Sequence, residues 1–378
     1  MKLFDVYSLL DMEPVKAQGA YLWDKAGQEY LDFYGGHAVI SIGHTHPHYV
    51  EKISEQLSKI GFYSNAVINS LQVELAEKLG ALSGYDDYSL FLCNSGAEAN
   101  ENALKLASFT TGRERVLAMR SAFHGRTSLA VTVTDNPNIQ APVNKTDKVS
   151  FIPFNDADAL RKELSSGEYA AVIVEPIQGV GGIQVATDEF MLAAREACDA
   201  TGTMLIADEI QAGYGRSGKF FSHQWSGVKA DIITLAKGIG NGFPIGAVMI
   251  SPSIPAKKGM LGTTFGGSHL ACAAAIAVAD VVKDENLVEN ARVMGEKIMT
   301  GITGVSGVKD IRGRGLIIGI DLSVPQADFR KVLREKHHIM TGLTGQYTLR
   351  LLPPLMIGQA EVDRFVEAFR ATAQEMGM

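Results

Sequence analysis

Three stretches share one pattern: Ala171-Val172-Ile173-Val174-Glu175, Met204-Leu205-Ile206-Ala207-Asp208, and Ile232-Ile233-Thr234-Leu235-Ala236-Lys237-Gly238. Each is an apolar run of buried-strand length that ends near an ionisable residue. Between the first two, residues 188–201 carry helical spacing. Strands alternating with helices imply a largely parallel sheet covered on both faces. Open sheets of this kind bind ligands beyond the carboxyl ends of their strands. Glu175, Asp208 and Lys237 are therefore expected at one edge.

The pattern extends in both directions. Residues 89–92, 115–119, 129–133 and 246–250 read as further strands, and 98–108 as a helix opening after the first of them. Residues 47–60 and 70–82 have helical spacing, with Leu71, Leu75, Leu79 and Leu82 on one face. Residues 18–34 read as two short strands and a turn. Beyond an alanine-rich helix at 270–283 the texture becomes strand-poor, with helices at 325–336 and 359–376 and a strand at 348–352. The expected organisation is an α/β fold. Its large domain (47–270) carries the sheet, its smaller α+β domain spans 271–378, and the N-terminal segment 1–46 packs with the smaller one.

The 378 residues are 46% hydrophobic and 20% charged, as expected of a folded globular protein with a large core. A net charge of −7 argues against nucleic acid or an anionic membrane as partner. No stretch has the length of a membrane span. The N-terminus shows no leader pattern, and the three scattered cysteines give neither a disulfide framework nor zinc spacing. These features predict a cytoplasmic protein. His44, His46 and His48 read as a turn before a helix rather than as metal ligands, because no further ligand completes a set. Four glycine clusters, at 179–182, 213–218, 238–242 and 262–267, are expected around a common site.

The chemistry-bearing residues follow from the strand ends. A lysine and an aspartate together supply an amine able to form a Schiff base and an acid able to keep a pyridine nitrogen protonated. Pyridoxal phosphate chemistry needs that pair. Ser95, Gly96 and Ala97 open a helix after a strand, where backbone N–H groups and the helix dipole favour an anion such as a phosphate. Ser95 with Glu98 also reads as a capping box, and the two roles are compatible. Phe123, His124 and Arg126 follow the strand at 115–119; the aromatic ring can stack on a cofactor and the arginine can grip a carboxylate. Gln211 lies one turn beyond Asp208. Thr263 and Thr264 can donate to a phosphate. Arg350, between leucines on a strand, can hold an acidic substrate if it faces a cleft.

Together these motifs resemble the class III, or ornithine-type, aminotransferases of fold type I. The likeness runs from Tyr21-Leu22-Trp23-Asp24 and Gly43-His44 through Phe91 to Lys105, and on to Phe123-His124-Gly125-Arg126-Thr127. It continues in Glu175-Pro176-Ile177-Gln178-Gly179, Asp208-Glu209-Ile210-Gln211, Lys237-Gly238 and Thr264-Phe265-Gly266-Gly267. The resemblance implies pyridoxal 5'-phosphate as cofactor, joined to Lys237, which also moves the proton. It implies that Asp208 pairs with the ring nitrogen and Gln211 approaches the phenolic oxygen, with His124 and Glu175 also at the cofactor. Phe123 stacks on the ring. Ser95, Gly96 and Ala97 hold the phosphate together with Thr264 of a partner subunit, so a homodimer with a shared active site is implied. Arg126, with Thr263 nearby, binds the α-carboxylate of an N-acylornithine, and Arg350 that of 2-oxoglutarate or glutamate. The implied reaction moves the δ-amino group of N2-acetyl-L-ornithine, or another N-acylornithine, to 2-oxoglutarate in arginine biosynthesis.

Two positions depart from the family pattern. Val180 stands where the family has a glutamate thought to pair with the arginine at 350, and Ser268 replaces an asparagine. The first points to an altered acyl preference, succinyl over acetyl. Succinylornithine, ornithine and 4-aminobutyrate are alternative amine donors. A decarboxylase or racemase on the same cofactor is more distant. A binding protein that kept the fold predicts a broken site, whereas Lys237 and Asp208 are intact. A nicotinamide dehydrogenase needs Gly-x-Gly-x-x-Gly at the first strand-to-helix turn, which residues 93–98 lack.

Overall fold

The computed structural model describes residues 1–378. Its central feature is a seven-stranded sheet. Across it the strands run Ser89–Cys93, Gly246–Ile250, Ile232–Leu235, Met204–Asp208, Tyr169–Val174, Arg115–Met119 and Val149–Ile152. Gly246–Ile250 is antiparallel to both neighbours, and every other pairing is parallel. Tyr169–Val174 is buried along its whole length, which is why it reads as an unbroken apolar run. The register aligns Val174 with Ala207 and Asp208 with Thr234. The three ionisable strand ends therefore emerge side by side.

One face of this sheet is covered by the helix Gly96–Thr111, which packs Ala99, Ala103, Leu104 and Ala107 against it. The helix begins on a Ser95 cap, whose Oγ accepts from the Glu98 N–H at 3.2 Å. It ends on Gly112, whose left-handed φ of 70° closes the last turn. No helix is long and apolar enough to cross a membrane.

Residues 128–132 correct the sequence reading. They form a one-turn helix, Ser128–Thr132, and not a strand. Glu101 Oε1 accepts from Thr127 Oγ1 (2.7 Å), Leu129 N (2.6 Å) and Ala130 N (2.9 Å), so it holds the first turn. The acceptor lies more than two dozen residues upstream, and β-branched content alone reads as strand.

The C-terminal part is also richer in strands than its texture implies. Val308–Arg314, Ile317–Leu322, Ile339–Thr344 and Thr348–Leu351 join three N-terminal strands, Pro14–Gln18, Tyr21–Asp24 and Glu29–Phe33, in a second seven-stranded sheet. The junction is parallel, Leu31 opposite Ile339. Helices Leu287–Ile302, Gln326–His337 and Gln359–Glu375 cover this sheet, with Phe329, Phe365 and Phe369 fully buried. Arg216, 2% exposed, ties the two halves together: it donates to the carbonyls of Leu316 (3.0 Å), Pro353 (2.7 Å) and Ile40 (3.3 Å).

Candidate active site

A cavity of about 420 Å³ opens at the carboxyl edge of the central sheet. Its walls include Ser95, Gly96, Ala97, Phe123, His124, Arg126, Glu175, Asp208, Gln211 and Lys237. Ten of the thirteen residues expected at the site are therefore brought together. Thr263, Thr264 and Arg350 are not part of that lining. Thr263 stands at its edge, its Oγ1 accepting from Asn94 Nδ2 at 3.3 Å. Thr264 is exposed in its own chain. Arg350 is 5% exposed and lies behind the Gly179–Val180 rim, donating from Nη1 to the Gly179 carbonyl at 2.9 Å.

Only Gly242 of the four glycine clusters lines the cavity, which corrects the expectation of a shared site. The glycines at 213–218 serve packing instead. At Gly218 φ is +83°, and a Cβ there would meet Arg292 Cβ at 2.8 Å.

Asp208 is buried and held by three donors. Asn100 Nδ2 (2.8 Å) and His124 Nδ1 (2.7 Å) share Oδ2, and the Ile210 N–H reaches Oδ1 at 3.1 Å. Asn100 was not singled out from sequence. Its signal is a polar residue on a helix face otherwise made of Ala99, Ala103 and Ala107. The neighbouring acid, Glu209, turns the other way. It accepts from Ser222 N and Oγ and from His223 N and Nδ1, all within 2.9 Å, and His223 passes the chain on to Tyr85. One of the two adjacent acids thus faces the cavity, and the other pins the loop behind it.

Glu175 accepts from the N–H groups of Phe123 (2.9 Å) and Gly179 (3.1 Å). Burial pushes its carboxyl up to about 7, against the pull of His124 and with the push of Asp208. Lys237 follows its strand in a left-handed conformation, φ +49°, a strained setting for a side-chain-bearing residue. Desolvation holds its ammonium below the ordinary range, while Asp208 and Glu175 oppose that shift. An amine so placed reaches its uncharged, nucleophilic form more readily.

These residues fit a pyridoxal phosphate. Gly96 and Ala97 present the unpaired N–H groups of a 16-residue helix to the cavity. A Cβ on Gly96 would meet the Ile210 side chain at 2.9 Å, so any side chain there would force Ile210 to shift. Two buried polar atoms on lining residues, His124 Nε2 and Gln211 Oε1, have no protein partner. Arg126, on the same wall, makes no ion pair and stands exposed as a free cation.

Comparison with known proteins accounts for this arrangement. Residues 6–372 match the model of the family described as aminotransferase class-III. The chain belongs to the class III aminotransferases. Among similar proteins, the acetylornithine aminotransferase of Methanosarcina mazei is 40% identical over 356 residues, covering 93% of this chain and 89% of that protein. That of Corynebacterium efficiens is 39% identical over 385 residues, covering 99% and 95%. The solved ornithine aminotransferase of Toxoplasma gondii superposes with a TM-score of 0.92 at 29% identity, covering 98% of this chain and 92% of that one. The acetylornithine aminotransferase of Elizabethkingia anophelis gives 0.87 at 33%, covering 98% and 95%. A second Toxoplasma structure is described with pyridoxal phosphate in its active site. This class III aminotransferase is accordingly a pyridoxal phosphate enzyme of fold type I.

The histidines at 44, 46 and 48 diverge. They pair with Asp32 (2.8 Å), Glu285 (2.9 Å) and Asp280 (3.1 Å) respectively.

Proposed function

We propose that this aminotransferase moves the δ-amino group of an N-acylornithine, N2-acetyl-L-ornithine foremost, to 2-oxoglutarate, in the route to arginine. The observation that carries the reading is an enclosed amine, Lys237, served by two cations that have no carboxylate partner, Arg126 and Arg350. The amine donor and the acceptor each carry carboxylates that such cations recognise. The acetylornithine aminotransferases most similar in sequence support the same substrate.

Pyridoxal phosphate, when bound, supplies an electrophilic aldehyde and a ring that spreads electron density from the substrate carbon. The chain's own residues do the rest. Lys237 holds and moves the proton at its Nζ, and its lowered affinity for that proton suits a group that must act as both acid and base. Asp208, fixed by Asn100 and His124, is the carboxylate for the ring nitrogen. With the cofactor bound, Phe123 would flank its ring and Gln211 would approach its phenolic oxygen, with Glu175 on the same cavity wall as Lys237. Ser95, Gly96 and Ala97 take the phosphate. Arg126, with Thr263 nearby, takes the α-carboxylate of the amine donor, and Arg350 that of the 2-oxo acid.

A homodimer with a shared site belongs to this reading. Thr264 is exposed in its own chain, and around it Phe62, Tyr63, Ile68 and Phe265 leave large apolar surfaces in water. Burial of such a patch against a second copy stabilises a dimer and brings Thr264 to the partner's phosphate. The organisation into segments 1–46, 47–270 and 271–378, and a cytoplasmic location, are part of the same proposal.

The test is product analysis with purified enzyme, 2-oxoglutarate and a donor panel of acetylornithine, succinylornithine, ornithine and 4-aminobutyrate. Glutamate should form fastest from an N-acylornithine, and Val180→Glu should change the ratio of the two acyl donors. Fast turnover of 4-aminobutyrate with none of either acylornithine contradicts the proposal.

A further inference from the structure

The backbone after Lys237 follows an unusual path. Lys237 and Asn241 take left-handed φ values of 49° and 47°, and Gly242 follows at 104°. Lys237–Ile239 form a single tight turn. The strand that delivers the lysine stops at Leu235, so the sheet does not fix this stretch. Both of its ends nevertheless face the cavity, Lys237 at one and Gly242 to Ile245 at the other. A strained setting persists only where neighbours over-determine it, so the groups that hold this turn bear on the amine.

Those groups come from residues 41–49, far upstream in the chain. Ser41 Oγ donates to the Gly238 carbonyl at 2.7 Å and is the one side chain that bonds the backbone of the turn. Asn241 Oδ1 lies 3.4 Å from the same hydroxyl, but its single proton serves the nearer carbonyl. The serine is itself pinned on both sides. Its N–H donates to Asn241 Oδ1 at 2.8 Å, and its carbonyl accepts from the Leu355 N–H at 2.7 Å. Asn241 Oδ1 also accepts from the Ile42 N–H at 3.1 Å, and its Nδ2 donates to the Gly43 carbonyl at 2.9 Å. Farther along, Tyr49 Oη donates to the Gly240 carbonyl at 2.7 Å. Ser41 is 1% and Asn241 5% exposed, so water does not compete for these bonds. A Cβ on Gly238 would stand 3.6 Å from Ser41 Cβ and 3.5 Å from Tyr214 Cβ, which leaves the turn little room to shift.

None of Ser41, Tyr49 and Asn241 lines the cavity, so any effect on the chemistry passes through the backbone. The Gly238 carbonyl belongs to the residue that follows the amine. Without its donor the turn is free to relax toward an ordinary φ, which swings the Lys237 side chain and opens its nitrogen to water. Burial is what lowers the affinity of that nitrogen for a proton. We propose that Ser41, fixed by Asn241, is a positioning residue for Lys237. Its hydroxyl holds the strained turn that aims Nζ, and so sets the rate of proton transfer in both half-reactions rather than the affinity for either substrate. This rests on the reading of Lys237 given above.

The test uses Ser41→Ala, Asn241→Gly and Tyr49→Phe in the full-length holoenzyme. The visible absorbance of the bound cofactor is titrated with pH, alongside single-turnover kinetics of each half-reaction. Ser41→Ala should raise the midpoint of that titration, because water admitted to Nζ favours its protonated form. It should slow both half-reactions on the order of tenfold to a hundredfold, the cost of a misaligned reacting group. The Kd of each substrate should stay within about twofold. Asn241→Gly accepts the left-handed φ, removes the acceptor for the serine N–H, and should move the midpoint the same way. Tyr49→Phe is the matched control, since it strands a carbonyl of the same loop. It should lower the melting midpoint as much as Ser41→Ala does, about 2 °C, and leave the titration and both rates at parental values. An unmoved titration midpoint in Ser41→Ala, or in Asn241→Gly where the first variant does not fold, would overturn the proposal. So would a Tyr49→Phe midpoint that moves as far, or a rate lost in one half-reaction only. Borohydride labelling of a lysine other than Lys237 would strike the reading of Lys237 itself, whereas a labelled Lys237 with an unmoved midpoint strikes Ser41 alone.

Discussion

Replacing Arg350 by methionine should make the protein more stable and less able to use its 2-oxo acid. Arg350 is 5% exposed and has no carboxylate within ion-pair distance. Desolvation holds its guanidinium below the ordinary range, as expected of a cation kept without a counter-charge. Burying such an ion costs several kcal/mol. Its hydrogen bond to the Gly179 carbonyl returns about 1.5–3 kcal/mol. Methionine, of similar length and without charge, removes both and leaves a net gain of about 1 kcal/mol, or a rise in melting midpoint of about 2 °C. The substrate side runs the opposite way. Losing a buried, hydrogen-bonded charge partner costs about 2–5 kcal/mol, roughly 30-fold to several thousandfold in kcat/KM for 2-oxoglutarate. The amine half-reaction, followed alone by single-turnover absorbance, should change by less than about threefold. A variant that melts lower and loses both half-reactions equally would refute this reasoning, because Arg350 would then be a structural cation.

Two further outcomes follow from the groups around Asp208. Glu209→Ala leaves four donor groups of Ser222 and His223 without their buried acceptor and should cost about 3 kcal/mol in chemical denaturation; a loss under about 1 kcal/mol would show that water replaces the carboxylate. Burial holds the Glu175 carboxyl up at about 7 in the folded protein, against its ordinary value of 4.5 in the unfolded chain. Between those values the unfolded chain has released the proton that the native state keeps, so this group lowers stability as pH rises, by up to about 1.4 kcal/mol per pH unit, with no further change above 7. Denaturation midpoints of Glu175→Gln should be flatter than the parent's across that window; parallel curves would contradict the assignment.

What was legible in the sequence was the central sheet and the chemistry at its edge. Glu175, Asp208 and Lys237 end strands whose parallel register forces them together, and apolar runs ended by charges carry that information locally. Less legible were features fixed by distant partners. The apolar run around Ala130 and Val131 is buried as either strand or helix, and only Glu101 decides for the helix. The packing of the N-terminal segment on the smaller α+β domain was legible, but the full extent of their shared sheet was not: its strands pair across more than 300 residues, Leu31 with Ile339, and the partly buried strand Val308–Arg314 has too little apolar content to announce itself. Glu209 and Asp208 look alike in sequence, and nothing local tells which faces the cavity.

The central claim is that the cofactor is joined to Lys237. Borohydride reduction of the pyridoxal phosphate-saturated protein, followed by peptide mass mapping, tests it most directly. The account predicts one modified peptide, with the pyridoxyl group on Lys237 and none on it in Lys237→Ala. A saturated protein labelled on a different lysine, or not labelled at all, would contradict the account.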